Sequence, residues 1–66
     1  MSSVLRLFAK QDILVVESYI KAGEEIRVGK ITSDGSKFMV ICNKDNLHKW
    51  MDMKDYSEYI EDKLVP

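Results

Sequence analysis

Five acidic side chains, Asp52, Asp55, Glu58, Glu61 and Asp62, recur at short intervals towards the C-terminal end of a 66-residue chain. On a helix, groups three or four residues apart lie about 5–6 Å from one another, so such a row would present carboxylates to a basic surface. Other candidate chemistry is sparse. A metal site needs several His, Cys or carboxylate ligands converging, and the chain holds one His and one Cys, His48 and Cys42. Nucleophilic catalysis by Cys42 with His48 would require an activated thiolate in an accessible pocket. A cysteine on a strand face shared with Phe38 and Val40 is expected to serve as core instead. No glycine-rich phosphate loop runs into a helix, and the Glu24–Glu25 pair sits where it would solvate the start of a strand. The expectation is a non-enzymatic protein with no metal and no cofactor.

The acids need an element to hold them. With Asp55 as N-cap and Glu58 three residues on, as in a capping box, a helix is expected from about residue 56 to 64. Met53, Tyr56, Ile60 and Leu64 then fall within an arc of roughly 80°, opposite the carboxylates. That apolar arc would lid a sheet. Tyr59, on the border of the two arcs, would add an aromatic contact of the kind enriched at interfaces. The candidate protein-binding set is therefore Asp52, Asp55, Glu58, Tyr59, Glu61 and Asp62. Because spaced carboxylates imitate a phosphate backbone, the partner expected is a basic protein surface, including that of a nucleic-acid-binding protein. The competing reading is a plain solvated face.

Upstream, the strongest local signal is Asp34-Gly35 between two apolar-rich runs, residues 25–31 and 37–42, which reads as a β-hairpin. A two-residue turn would put Arg27 beside Cys42 and Lys30 beside Met39, mixing charge into both faces. A three-residue loop, Ser33-Asp34-Gly35, with Gly35 left-handed and a bulge, groups Ile26, Val28, Phe38, Val40 and Cys42 on one face. The other face would carry Arg27, Gly29, Ile31, Lys37, Met39 and Ile41, more apolar than a wet face requires. Ile31, Met39 and Ile41 are accordingly the candidate self-association residues of a homodimer.

Residues 3–9 and 12–20 are rich in β-branched and aromatic side chains, separated by Lys10-Gln11-Asp12, and suggest a second hairpin. The alternative is a helix over residues 12–22 ended by Gly23. The run Ile13-Leu14-Val15-Val16, three of its four residues β-branched, favours strand. Lys44-Asp45-Asn46 marks a turn, and the alternation of Leu47, Lys49, Met51 and Met53 with His48, Trp50 and Asp52 allows a short last strand. The fold expected is α+β: a small, strongly bent antiparallel sheet of four to five strands, an SH3-like barrel being one form of it, with one C-terminal helix. A helix, a three-stranded sheet and a second helix is the runner-up.

Composition sets the bounds. A chain of 66 residues, 45% hydrophobic and 32% charged, reads as a single compact domain, residues 1–66, whose small core gives only marginal stability. One cysteine excludes an internal disulfide and suits a reducing compartment, the cytoplasm. Residues 4–9 are apolar but interrupted by Arg6 and far shorter than a signal-peptide core, and no apolar run reaches membrane-spanning length. Residues 1–44 hold seven Lys/Arg against five Asp/Glu, a balance of +2, and residues 45–66 three against six, a balance of −3. So small an imbalance argues against a general DNA binder.

The function expected is that of a regulator or inhibitor engaging a basic protein through its acidic row. The second expectation is a nucleic-acid-binding module of SH3-like type using Arg27, Lys30 and Lys37, with Tyr19 or Trp50 as a stacking platform. In size and scarcity of motifs the chain looks like the short proteins with which phages disable host machinery, a likeness of type and not of family.

Overall fold

Alternation of side chains, not helical spacing, organises the chain. The computed structural model describes residues 2–66, in which seven strands follow one another: β1 (Val4–Ala9), β2 (Ile13–Val15), β3 (Ser18–Ile20), β4 (Glu25–Ile31), β5 (Lys37–Cys42), β6 (His48–Asp52) and β7 (Ile60–Val65). A 3-10 turn, Met53–Asp55, and one turn of α-helix, α1 (Tyr56–Tyr59), separate β6 from β7. Five strands form an antiparallel sheet in the order β6-β5-β4-β1-β7, and β2 pairs with β3 as a separate two-stranded hairpin. The molecule is thus mostly β with a short helical segment. Among the described residues no pairing joins β6 to β7, so hydrogen bonds do not close the sheet.

The β4–β5 hairpin combines the two registers weighed from the sequence. At its tip Ile31 faces Phe38 and Lys30 faces Met39, whereas further down Val28 faces Val40 and Ile26 faces Cys42, with a bulge between Val28 and Lys30. Gly35 is left-handed as expected, at φ +74°, but the extra residue that regroups the faces is Gly29 and not part of the loop. A side chain at Gly29 would collide with Ile41, which folds across that position. Ile26, Phe38, Val40 and Cys42 therefore share the buried face, with Val28 packed against them. Asp34 fastens the tip: one carboxylate oxygen accepts hydrogen bonds from Thr32 Oγ1 at 2.8 Å, Ser36 N at 3.0 Å and Ser36 Oγ at 2.7 Å. The Ser36 backbone bond leads in holding its pKa down, to about 2.

Residues 13–20 are strand, as their β-branched run requires. The pairing is not the one expected, because β1 joins β4 and β7 while β2 turns back on β3 across Val16-Glu17. Val16 takes φ +55° at the turn, a conformation that costs a β-branched residue steric strain. The hairpin folds over the sheet and contributes Ile13, Val15 and Ile20 to the core, which Ala9, Met51 and Ile60 complete. Tyr56 closes one side, its ring edge-on to Phe38 at a centroid distance of 5.4 Å.

The C-terminal helix expected over residues 56–64 is corrected to a single turn. Ile60 is extended, at φ −120° and ψ 135°, and the next residues pair with β1 at six positions, from Ala9↔Ile60 to Val4↔Val65. Asp55 does occupy the N-cap position of α1, but its backbone is already helical after the 3-10 turn, and its side chain makes no capping bond. The apolar arc is dispersed accordingly. Ile60 and Leu64 still share a face of β7, but Ile60 is buried in the core whereas Leu64, four residues further along the strand, is 72% exposed.

Candidate groove between the hairpin and the sheet edge

The acidic row does not exist as one surface. On β7, successive side chains point to opposite faces, so Glu61 lies beside Lys63, 3.8 Å away, while Asp62 accepts a 3.1 Å hydrogen bond from the Tyr56 hydroxyl. Burial of the Tyr56 ring, together with that carboxylate, raises the phenol's pKa. Glu58 is exposed on α1, with its carbonyl accepting from Gln11 Nε2 at 3.3 Å. Asp52, Asp55 and Tyr59, by contrast, converge elsewhere. They line a groove of about 450 Å³ to which the β2–β3 hairpin adds Asp12 and Tyr19, and β6 adds Trp50.

The groove arises because β6 is a sheet edge and the hairpin's own edge does not pair with it. Lys49 ties the two together: its Nζ donates to the Leu14 carbonyl at 3.0 Å. The opposite wall is fixed by the loop after β1. Lys10 N donates to the Tyr59 carbonyl at 2.8 Å and Lys10 Nζ to the Ser57 carbonyl at 3.0 Å, so one α1 carbonyl is met by a backbone amide and another by a cation, as helix ends favour.

Apolar surface is exposed along this rim. Trp50 is 43% exposed, and Leu14 and Tyr19, opposite one another in the hairpin, are half exposed. Trp50 is not part of the core: Met51 holds the inward position of β6, and alternation turns Trp50 out. Charge around the groove is mixed. Asp12 pairs with Lys21 at 3.6 Å and Asp52 with Lys37 at 3.8 Å, while Asp55 has no cation within ion-pair distance among the described residues.

The residues weighed for other chemistry sit apart from the groove. Cys42 is fully buried, its thiol donating to a Glu24 carboxylate oxygen at 3.2 Å, and burial pushes its pKa up, which disfavours a thiolate. Among the described residues no three His, Cys, Asp or Glu side chains gather as they would to hold a metal ion, and no helix is long and apolar enough to cross a membrane.

The three residues expected to mediate self-association are not one patch. Met39 and Ile41 are half-buried on the sheet face away from the core, Ile41 covering Gly29. Ile31 lies beyond the bulge, opposite the core residue Phe38, which directs it to the other face. Of the basic residues, Arg27 donates to Asn43 and Asn46 side-chain oxygens at 2.8 and 3.2 Å, and Lys37 lines the groove.

Sequence reasoning had named Asp52, Asp55 and Tyr59 for the wrong element, and Tyr19 and Trp50 for a different role. Asp12 and Leu14 are read from the sequence only as part of a polar break and of a strand. Their signal was the polar break at residues 10–12 before a strand too short to reach across the sheet. Comparison of the chain with protein-family models, with curated proteins and with solved structures gives no match.

Proposed function

We propose that the chain is a non-enzymatic binding protein that regulates or inhibits its partner by seating an extended, basic segment of it in the groove between the β2–β3 hairpin and β6. One observation carries this reading: two aromatic residues, Tyr19 and Tyr59, and three acidic residues, Asp12, Asp52 and Asp55, line one open cleft, with Trp50 at its β6 rim. Interface hot spots combine exposed aromatic anchors with a polar rim, and a Lys or Arg of the partner would find Asp55 without a competing cation. The sheet itself we take as an SH3-like barrel left open at the β6 edge. Its strand order, the hairpin between its first two strands and the helical turn before its last support that reading. The free Cys42 thiol suits work in the cytoplasm.

The test is selection from a random peptide library displayed on phage, against the full chain and against Tyr19→Ala and Asp55→Lys. The expected outcome is enrichment of peptides with Lys or Arg beside an apolar anchor, bound at least tenfold more weakly by both variants. Enriched peptides that bind the variants as well as the parent would overturn the groove as the site.

A further inference from the structure

The sheet has a second, uncovered face, and its charge differs from that of the groove. Cross-strand partners share a face, so the rows Arg27–Ile41–His48 and Lys30–Met39–Trp50 stand side by side across β4, β5 and β6 on the side away from the core. The same face continues through Arg6, Phe8, Glu25, Glu61 and Lys63 of the neighbouring strands. Each carboxylate on it is already paired. Arg6 meets Glu25 at 3.1 Å, Lys37 meets Asp52 at 3.8 Å and Lys63 meets Glu61 at 3.8 Å.

Five cations against three carboxylates leave +2 on this face of a chain whose net charge is −1, so the remainder carries −1 − 2 = −3. The surplus is Arg27 and Lys30. Arg27 is held by the side-chain oxygens of Asn43 and Asn46, neutral acceptors that orient the guanidinium without cancelling its charge. Lys30 is exposed and has no carboxylate within ion-pair distance among the described residues. Two strands from Lys30, about 10 Å across the sheet at the usual strand spacing, stands the half-exposed indole of Trp50.

We propose that this face binds single-stranded nucleic acid, with Arg27 and Lys30 on successive phosphates and Trp50 stacked on a base. Charge complementarity selects the class of ligand, because a polyanion is the partner for which two cations uncompensated on a sheet and flanking an aromatic platform are suited. A single strand is favoured over a duplex because stacking on Trp50 requires a base free of its pair. This face meets the groove at the β6 edge, where Trp50, Lys37 and Asp52 border both, but its surplus charge lies elsewhere. Arg27 and Lys30 take no part in lining the groove, and Asp55 and Tyr59 take no part in this face.

The chain has one tryptophan, so its fluorescence reports binding at the β6 edge, and variants on either side of that edge assign it to this face or to the groove. Titration of the full chain with a ten-residue oligothymidylate at low salt is expected to quench Trp50 saturably. The dissociation constant should rise by about 1.4 decades per decade of salt, about 0.7 for each of two phosphates. Arg27→Glu and Lys30→Glu should each weaken binding about fivefold or more, with circular dichroism confirming that the fold is kept. Trp50→Leu, followed with a fluorescently labelled oligonucleotide, should weaken it about tenfold, whereas Asp55→Lys should not weaken it. Absence of quenching at 10 mM salt would overturn the proposal, as would quenching unchanged in both charge reversals, or equal affinity for a duplex of the same length.

Discussion

The two ends of the main sheet are built from strands of similar composition but are packed very differently. At one end Phe38, Val40 and Cys42 of β5 are fully buried; at the other Leu5 and Leu64, opposite one another on β1 and β7, are 59% and 72% exposed. Intrinsic strand preference does not distinguish them. The difference is the cover: the β2–β3 hairpin and the helical turn lie over the first end and stop short of the second. Burial near 25 cal/mol per Å² of apolar surface rewards only the covered end, and the groove marks the place where the cover fails to meet the edge strand.

The largest effect should come from the covered end. Phe38→Ala leaves a cavity beneath the hairpin and removes the edge-on contact with Tyr56, at an expected cost of about 3–5 kcal/mol. A domain of this size has a total stability of roughly 3–10 kcal/mol, so urea denaturation should find the variant partly or wholly unfolded. A midpoint close to that of the parent would mean that the core is not centred on β5. Next is the hairpin that provides the cover. Relieving the left-handed Val16, which is 89% exposed, by Val16→Gly should stabilise the protein by about 1 kcal/mol, a rise of about 4–8 °C in Tm. A fall in Tm would show that the Val16 side chain makes a stabilising contact. At the uncovered end, Leu64→Ser should change stability by no more than about 0.5 kcal/mol, and a cost approaching that of Phe38→Ala would abolish the distinction between the ends.

How far this contrast could be read from the sequence depends on the element. The β4–β5 hairpin was legible because Asp34-Gly35 and the alternation on either side are local signals, and even the grouping of Ile26, Val28, Phe38, Val40 and Cys42 followed from alternation. The position of the bulge did not, because it depends on Ile41 crossing Gly29 from the neighbouring strand. Residues 60–65 were misread because Ile60 and Leu64 satisfy helical and strand spacing on different grounds, and propensity gave way to pairing with β1. With the helix went the single acidic face, and the carboxylates that remained together were those placed by the 3-10 turn and the end of β6. The hairpin's share of the groove, Asp12 and Tyr19, could not be foreseen from residues more than thirty positions away.

The smallest effect is expected at the hairpin tip. The Asp34 carboxyl titrates at about 2 in the folded protein against 3.8 for an unperturbed aspartate. A pKa depressed by folding stabilises the protein above the unfolded value and ceases to do so as pH falls through the folded one. Stability should therefore decline between pH 4 and about 2, and Asp34→Asn should flatten that part of the profile. Because the group is fully exposed, the change is expected to be slight, and an unaltered slope in the variant would place the acid sensitivity at another carboxylate.

The central claim is that the open seam between the hairpin and β6 is where this protein meets its partner. Chemical-shift mapping of the isotopically labelled chain with a basic peptide from the library selection tests it most directly. The predicted result is that the backbone amides of Asp12, Tyr19, Asp55 and Tyr59 and the indole N–H of Trp50 shift together with one dissociation constant, while those of Leu5 and Leu64 stay fixed. Shifts confined to the exposed β1–β7 end, with the groove residues unmoved, would contradict it.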